Sequence, residues 1–390
     1  MAKHPLHEIV IAGAFNAKQA KRLDGYTSET ITLEAVRGVL ADAGLTPKDI
    51  DGVSVAGGGR FGMMQSNHFA YLMGVGPCWT SAHNGNGIPA VMEAAGAIMA
   101  GEAHTVLIAA GSAGVYTEHE STAPWTRPSH EFVACWGLFT AAEFALIARR
   151  HMHKYGTKPE ALATVAATIR NNGHINPEAI YAGRGPFTPK DILDSRMVAD
   201  PFHLLDCAMT SEGGAGLIVT TAERARHMRR KPIYLLGGGR HTYGPAYTYP
   251  PSFDLTGWVG REAAQQSFKT AGITHKDVDV CEFYDPFSFE IIRQFEAFGF
   301  CGEGEGGDFV MEKQMITLDG KYPICTDGGL MSFSHGGSAV QLLQKVIEGT
   351  KQLRGEGGNR QVPDAEIAMC TNGGAGAMFT HVALLGKERP

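Results

Sequence analysis

The sequence predicts an α/β fold with a largely parallel, helix-covered sheet, built twice over as two related halves. Three observations carry this expectation. Short apolar runs alternate with stretches of helical periodicity, the pattern of strand–helix units over a buried sheet. The glycines, 50 of 390 residues, sit in short turns such as 57–59, 237–239 and 373–374 rather than in one tract, as many tight strand–helix connections require. Residues 43–51 (AGLTPKDID) recur 228 positions later as residues 271–279 (AGITHKDVD), identical at six of nine places. So long a period means duplicated halves rather than a solenoid of short repeats.

Taken in order, residues 7–13 read as a buried strand closed by glycine, and residues 30–43 as a helix stopped by Gly44. Residues 51–56 form the next strand. Residues 89–100 form a helix with Pro89 in its first turn, and residues 105–111 a third strand. Residues 115–201 are too long for a plain connection and read as a lid or substrate-binding insertion. This insertion holds a helix at 141–154 and a loop at 171–177. In the second half, residues 231–237 echo the opening strand and residues 366–374 echo residues 105–114. The helix at 339–347 matches the one after residues 84–87, so two helix N-termini, one from each half, are expected to meet. Residues 302–307 read as an exposed flexible loop. The chain therefore divides into residues 1–230, carrying the insertion, and residues 231–390.

Composition narrows the function. A net charge of −6 and a pI near 6.2 give no basic footprint for nucleic acid. No run reaches the ~18 apolar residues of a membrane span. Seven cysteines without a C-x-x-C pair fit a reducing, cytoplasmic setting and exclude a zinc ribbon within this chain. Gly85-Asn-Gly-Ile-Pro-Ala90 has dinucleotide-site spacing but does not follow the first strand, and the next strand ends without an acidic residue for a ribose. Residues 110–114 match a nucleophile elbow poorly. His151, His153 and His174 lack metal-ligand spacing and read as surface or pocket residues.

The stretch with most chemical promise is residues 325–340 (CTDGGLMSFSHGGSAV), where His335 stands between two glycine pairs just before a helix. Glycines let backbone approach a ligand closely. A helix N-terminus disfavours a second positive charge, so a histidine there tends to stay neutral and able to act as a base.

Four segments together give a family likeness that covers essentially the whole chain. Residues 200–214 (DPFHLLDCAMTSEGG), 282–287 (EFYDPF), 334–338 (SHGGS) and 370–376 (CTNGGAG) resemble the D-P-L-x-L-x-D-C, N-E-A-F/H-D-C-F, G-H-P-x-G and C-x-G-G-G motifs of the thiolase superfamily. The likeness is greatest to its sterol-carrier (SCP-x) branch. It implies duplicated five-stranded mixed sheets covered by helices in αβαβα layers. Where thiolases carry a nucleophilic cysteine, this chain carries Asn84, and an amide accepts no acyl group. Cys78, six residues upstream, reads as structural. Tyr284 stands where relatives hold asparagine or histidine, Gly336 replaces the motif proline, and Asn372 replaces a motif glycine.

Loss of the nucleophile with a gained tyrosine resembles the steroid side-chain aldolases of the superfamily. These cleave a bulky 3-hydroxyacyl-CoA to a carbonyl compound and a shorter acyl-CoA. The resemblance implies Tyr284, His335 and Cys370 as catalytic residues, with the base left open between the first two. It implies thioester-oxygen binding by backbone around Asn84, Gly85, Gly87, Gly373 and Gly374. It also implies no cofactor beyond the coenzyme A of the substrate, and no metal. The chain is expected to form a homodimer, with the apolar strand 105–110 as pairing edge, and to join a small zinc-ribbon/OB-fold subunit in a heterotetramer. The rival expectations are a thiolase or acyltransferase using another nucleophile, and a non-catalytic acyl-CoA-binding subunit.

Overall fold

In the computed structural model of the protein, residues 4–57, 65–81, 87–114, 140–244, 257–374 and 379–389 are described. The first half runs β1 (Ile9–Ala20), α1 (Ser28–Ala43), β2 (Gly52–Gly57), α2 (Ser66–Met73), β3 (Trp79–Thr80), α3 (Ile88–Ala100) and β4 (Thr105–Ser112). The insertion supplies α4 (Thr140–Tyr155), α5 (Pro159–Ile175), α6 (Pro189–Leu193) and the hairpin of β5 (Met197–Ala199) with β6 (Phe202–His203). Then β7 (Glu212–Thr221) returns to the sheet, followed by α7 (Ala222–Ala225). The second half runs β8 (Ile233–Thr242), α8 (Arg261–Ala271), β9 (Val280–Glu282), α9 (Ser288–Phe298), α10 (Gly306–Met311), α11 (Gly337–Arg354), β10 (Ile367–Gly374) and β11 (Phe379–Gly386).

The repeat in the sequence is one local device built twice. Gly44 and Gly272 end their helices at φ 73° and 70°, the left-handed conformation in which glycine has no Cβ to clash. Two residues on, Thr46 and Thr274 donate their backbone N–H to Asp49 and Asp277, both at 2.8 Å, opening a 3₁₀ turn. Asp51 then accepts the N–H groups of His104 and Thr105, and Asp279 those of Glu366 and Ile367. The glycine, threonine and two aspartates shared by the two repeats thus cap a helix, shape a turn and start the neighbouring strand in each half.

Strand order repeats as well. The sheet reads β3-β2-β4-β7-β1-β8-β11-β10-β9, reflected about the β1–β8 contact. In both halves an antiparallel pair leads to a second antiparallel pair and then a parallel one. The halves join through the registers Val10↔Tyr234 and Ile11↔Ile233. The fifth strand of the first half is β3; its counterpart in the second is a single bridge between Cys281 and Ile324.

The strands are buried on both faces. Ile88, Val91 and Ala95 of α3 share one apolar core with Leu343, Val346 and Ile347 of α11 and with strands of both halves. On the outer faces, α1 covers Val10, Val53 and Leu107, while α8, α9 and the insertion cover Cys281, Phe283 and Leu384. This is the expected five-layer arrangement, with α3 and α11 in the middle layer.

Several local expectations are corrected. The strand at 105–110 is no edge: β4 lies between β2 and β7, and the sheet ends at β3 and β9. Residues 171–175 are not loop but the last turns of α5. Gly173 is there for proximity, since a Cβ on it would fall 2.2 Å from Ser332 Oγ. The exposed loop at 302–307 ends early: residues 302–305 form a largely exposed turn, but Gly306 and Gly307 are buried at the start of α10, and the Gly306 N–H donates to Glu296 at 2.9 Å. His151 is fully buried, between Glu296 at 2.9 Å and Thr157 at 2.8 Å, and so ties the insertion to the second half.

Candidate active site

Tyr284 leaves the end of β9 with its backbone held on both sides. Its N–H donates to Thr371 Oγ1 at 2.8 Å, and its carbonyl accepts from Gln294 Nε2 at 2.7 Å. The Thr371 hydroxyl in turn donates to Gln294 Oε1 at 2.5 Å. The ring lies against the end of β10, where a methyl on Gly373 would come within 2.9 Å of its Cδ1. Gly373 is therefore required for a side-chain approach, and Gly374 is pressed likewise by the Phe379 ring.

His335 follows a π-helical turn, Gly329–Phe333, and is held by the approach to β7. Its N–H donates to Ser211 Oγ at 2.7 Å, and its Nδ1 lies 2.8 Å from the Met209 carbonyl. A carbonyl only accepts, so Nδ1 carries a proton, and in the neutral ring Nε2 has the lone pair. Ser334 bonds Ser211 at 3.0 Å and Gln19 of β1 at 2.8 Å, so the first half fixes this histidine of the second.

Cys370 faces the other way along β10. Its thiol donates to the Lys345 carbonyl of α11 at 3.3 Å, and it is fully buried. Burial pushes its pKa well above the usual thiol range, so it stays protonated at neutral pH. Asn372, on the same face as Cys370, accepts the N–H of Ile88 at 2.6 Å, the first residue of α3. Strand alternation explains the split: Thr371 and Gly373 meet Tyr284, whereas Cys370 and Asn372 meet α11 and α3. The structure thus brings Tyr284 to Gly373 and the start of α3 to β10, but not the Cys370 thiol to the Tyr284 ring. Gly87 caps α3 at φ 57°. Asn84 and Gly85 lie outside the described residues.

Sequence reading missed a buried ionic cluster beneath these groups. Lys345 Nζ meets Asp285 at 2.6 Å and Cys325 Sγ at 3.2 Å. Glu282 accepts the N–H and hydroxyl of Thr326 at 2.9 and 2.7 Å, and Glu348 pairs with Arg360. Burial, then the neighbouring Asp327 and Glu348, push the Glu282 carboxyl up to about 8; burial and Glu348 push Asp327 up to about 6. Burial works against the Lys345 charge, but Asp285, Cys325, Asp327 and Glu282 outweigh it and hold its pKa well above the usual lysine range. Burial also raises the Asp285 carboxyl, opposed by Lys345. With Lys345 cationic at contact distance, the pair is ionised together. On α11 Lys345 stands beside Gln344 and one turn from Glu348, so the sequence reads that face as solvated and gives no signal of a buried cluster.

Residues 249–387 match the model of the thiolase C-terminal domain-like family. Over 90% of the chain and 92% of the relative, the sequence is 32% identical to the 17-hydroxy-3-oxo-4-pregnene-20-carboxyl-CoA lyase of Mycobacterium tuberculosis. It is also 32% identical to an acetyl-CoA acetyltransferase of Methanothermobacter thermautotrophicus, over 95% of the chain and 97% of the relative. Among solved structures, the Ltp2-ChsH2(DUF35) aldolase superposes with a TM-score of 0.82 at 27% identity, covering 98% of both chains. The chain belongs to the thiolase superfamily. It is a thiolase-like enzyme of the carbon–carbon lyase kind. Among the described residues no helix is long and apolar enough to cross a membrane.

Proposed function

We propose that the protein cleaves a 3-hydroxyacyl-CoA bearing a bulky, steroid-type side chain by a retro-aldol reaction. The base removes the β-hydroxyl proton, and the O–H electron pair becomes the new C=O bond. The Cα–Cβ bond breaks, and its electrons pass into the thioester as an enolate. Protonation at the α-carbon then gives the shorter acyl-CoA, and the carbonyl product leaves. No electrons are gained or lost overall, so the coenzyme A of the substrate is the only cofactor-like group required. The observation that carries this reading is the imidazole held by Met209, whose basic Nε2 belongs to the same motif set as Tyr284. His335 and Tyr284 divide base and relay duties. The proton taken from the β-hydroxyl returns to the α-carbon through the same pair, because Cys370 is fully buried with its thiol turned to the Lys345 carbonyl of α11 and does not serve as the donor expected from its motif. Backbone N–H groups at Gly87 and at residues 373–374 stabilise the enolate oxygen.

The relative from Mycobacterium tuberculosis is named for a steroid acyl-CoA, and the solved aldolase pairs with a second protein, ChsH2(DUF35). The first supports a steroid-type substrate and the second a partner subunit, which we take to be the small zinc-ribbon/OB-fold protein expected from the resemblance. The test is incubation of the protein, alone and with that subunit, with a panel of 3-hydroxyacyl-CoAs and 3-ketoacyl-CoAs, read by mass spectrometry. A carbonyl product with a shortened acyl-CoA is expected, most of it with the subunit present. A covalent acyl-enzyme in the intact mass, or thiolysis of a 3-ketoacyl-CoA, would instead establish acyl transfer.

A further inference from the structure

Tyr284, His335 and Cys370 come from three separate segments, and one buried ion pair touches all three segments. Asp285 directly follows Tyr284 and is fully buried. Its carboxylate accepts the Leu330 N–H at 2.9 Å and the Lys345 ammonium at 2.6 Å. Leu330 is the second residue of the π-helical turn that ends two residues before His335. That turn seats so closely on the carboxylate that a Cβ on Gly329, at φ 56°, would fall 2.2 Å from Asp285 Oδ2. Lys345 belongs to α11, and its backbone carbonyl receives the Cys370 thiol proton at 3.3 Å.

Stability does not account for such a pair. Taking two charges out of water costs several kcal/mol per ion by typical values, and apolar side chains of similar volume hold a core together as well or better. A charge pair offers direction and fixed distance instead, together with a strong, oriented acceptor for the backbone of an irregular turn.

We propose that Asp285 and Lys345 are positioning residues, which fix the Tyr284 segment against the turn that delivers His335. The pair acts through the groups it holds and touches no substrate. This assignment rests on the retro-aldolase reading for its kinetic readout, so the test includes one readout independent of turnover.

The experiment compares wild type with the double variant Asp285→Asn/Lys345→Met, which removes both charges together and leaves neither stranded. Asp285→Asn alone keeps an oxygen for the Leu330 N–H and serves as the second arm if the double variant does not fold. Melting temperature, kcat and KM are measured with the small subunit present, and a 3-fluorotyrosine at position 284 reports ring environment by ¹⁹F NMR without substrate. In a folded variant, kcat should fall by about 10²-fold, the loss an ångström-scale misplacement produces, with KM within about threefold of wild type. The fluorine resonance should shift or split. A folded variant with wild-type kcat and an unmoved resonance overturns the proposal. If wild type cleaves no 3-hydroxyacyl-CoA, the functional reading fails, and the fluorine signal still decides whether the pair positions Tyr284.

Discussion

Tyr284→Phe keeps the ring against Gly373 and removes only the phenol oxygen. Acid–base groups typically contribute ~10²–10⁴-fold, so the loss should fall on kcat with little change in KM. Cys78 is half-buried at the edge of the first-half core, and burial raises its pKa, so Cys78→Ala should leave turnover nearly intact. Steady-state kinetics on one 3-hydroxyacyl-CoA compares the two. Activity lost with Cys78 and kept without the Tyr284 oxygen would favour covalent acyl transfer. At this scale the sequence was informative where a motif marks a position, as at Tyr284 and His335. It was silent about Asp285 and Lys345, which are 60 residues apart and meet only in the fold. It also gave no hint that Cys370 turns its thiol toward α11.

Among the elements, α5 shows why composition misleads. Asn-Asn-Gly at 171–173 has the residues of a turn, yet it lies in a helix, and the glycine answers to a neighbour rather than to its own backbone. Gly173→Ala would drive a methyl into Ser332 of the π-helical turn. Overpacking of this kind costs typically ~1–3 kcal/mol, so a clear fall in melting temperature is expected. An unchanged melting curve would mean that the turn yields freely. At the end of β9, Glu282 gives stability a pH dependence. Its folded pKa, about 8, exceeds that of an unfolded glutamate, so the folded state holds the extra proton. Its contribution is full below the ordinary glutamate range and is lost as pH rises toward 8. Glu282→Gln stays neutral throughout. Its stability should therefore fall less than that of wild type between pH 6 and 8, by on the order of 1–3 kcal/mol. Parallel denaturant titrations at the two pH values measure this; equal slopes would rule out Glu282 as the source.

For the molecule as a whole, duplication was legible because the repeat at 43–51 and 271–279 has structural causes in its caps and turns. Strand order was not. A strand buried on both faces is equally apolar at a sheet's centre or edge, which is why β4 read as an edge when β3 holds that place. A homodimer remains the expected assembly, now with β3 as the open edge on the first half. Light scattering at micromolar concentration should give twice the 41.7 kDa chain mass, and a monomer would contradict it. The matched registers carry one more consequence. Gly52 pairs with Val106 as Val280 pairs with Ala368. Counting along from these pairs, Tyr284, Cys370 and Asn372 stand opposite Ala56, Ile108 and Ala110 of the first half. The two halves are thus unequal, one carrying a phenol, a thiol and an amide and the other only hydrocarbon at the same stations. Each chain should turn over one substrate at a time, and titration with a tight acyl-CoA analogue should saturate at one per chain.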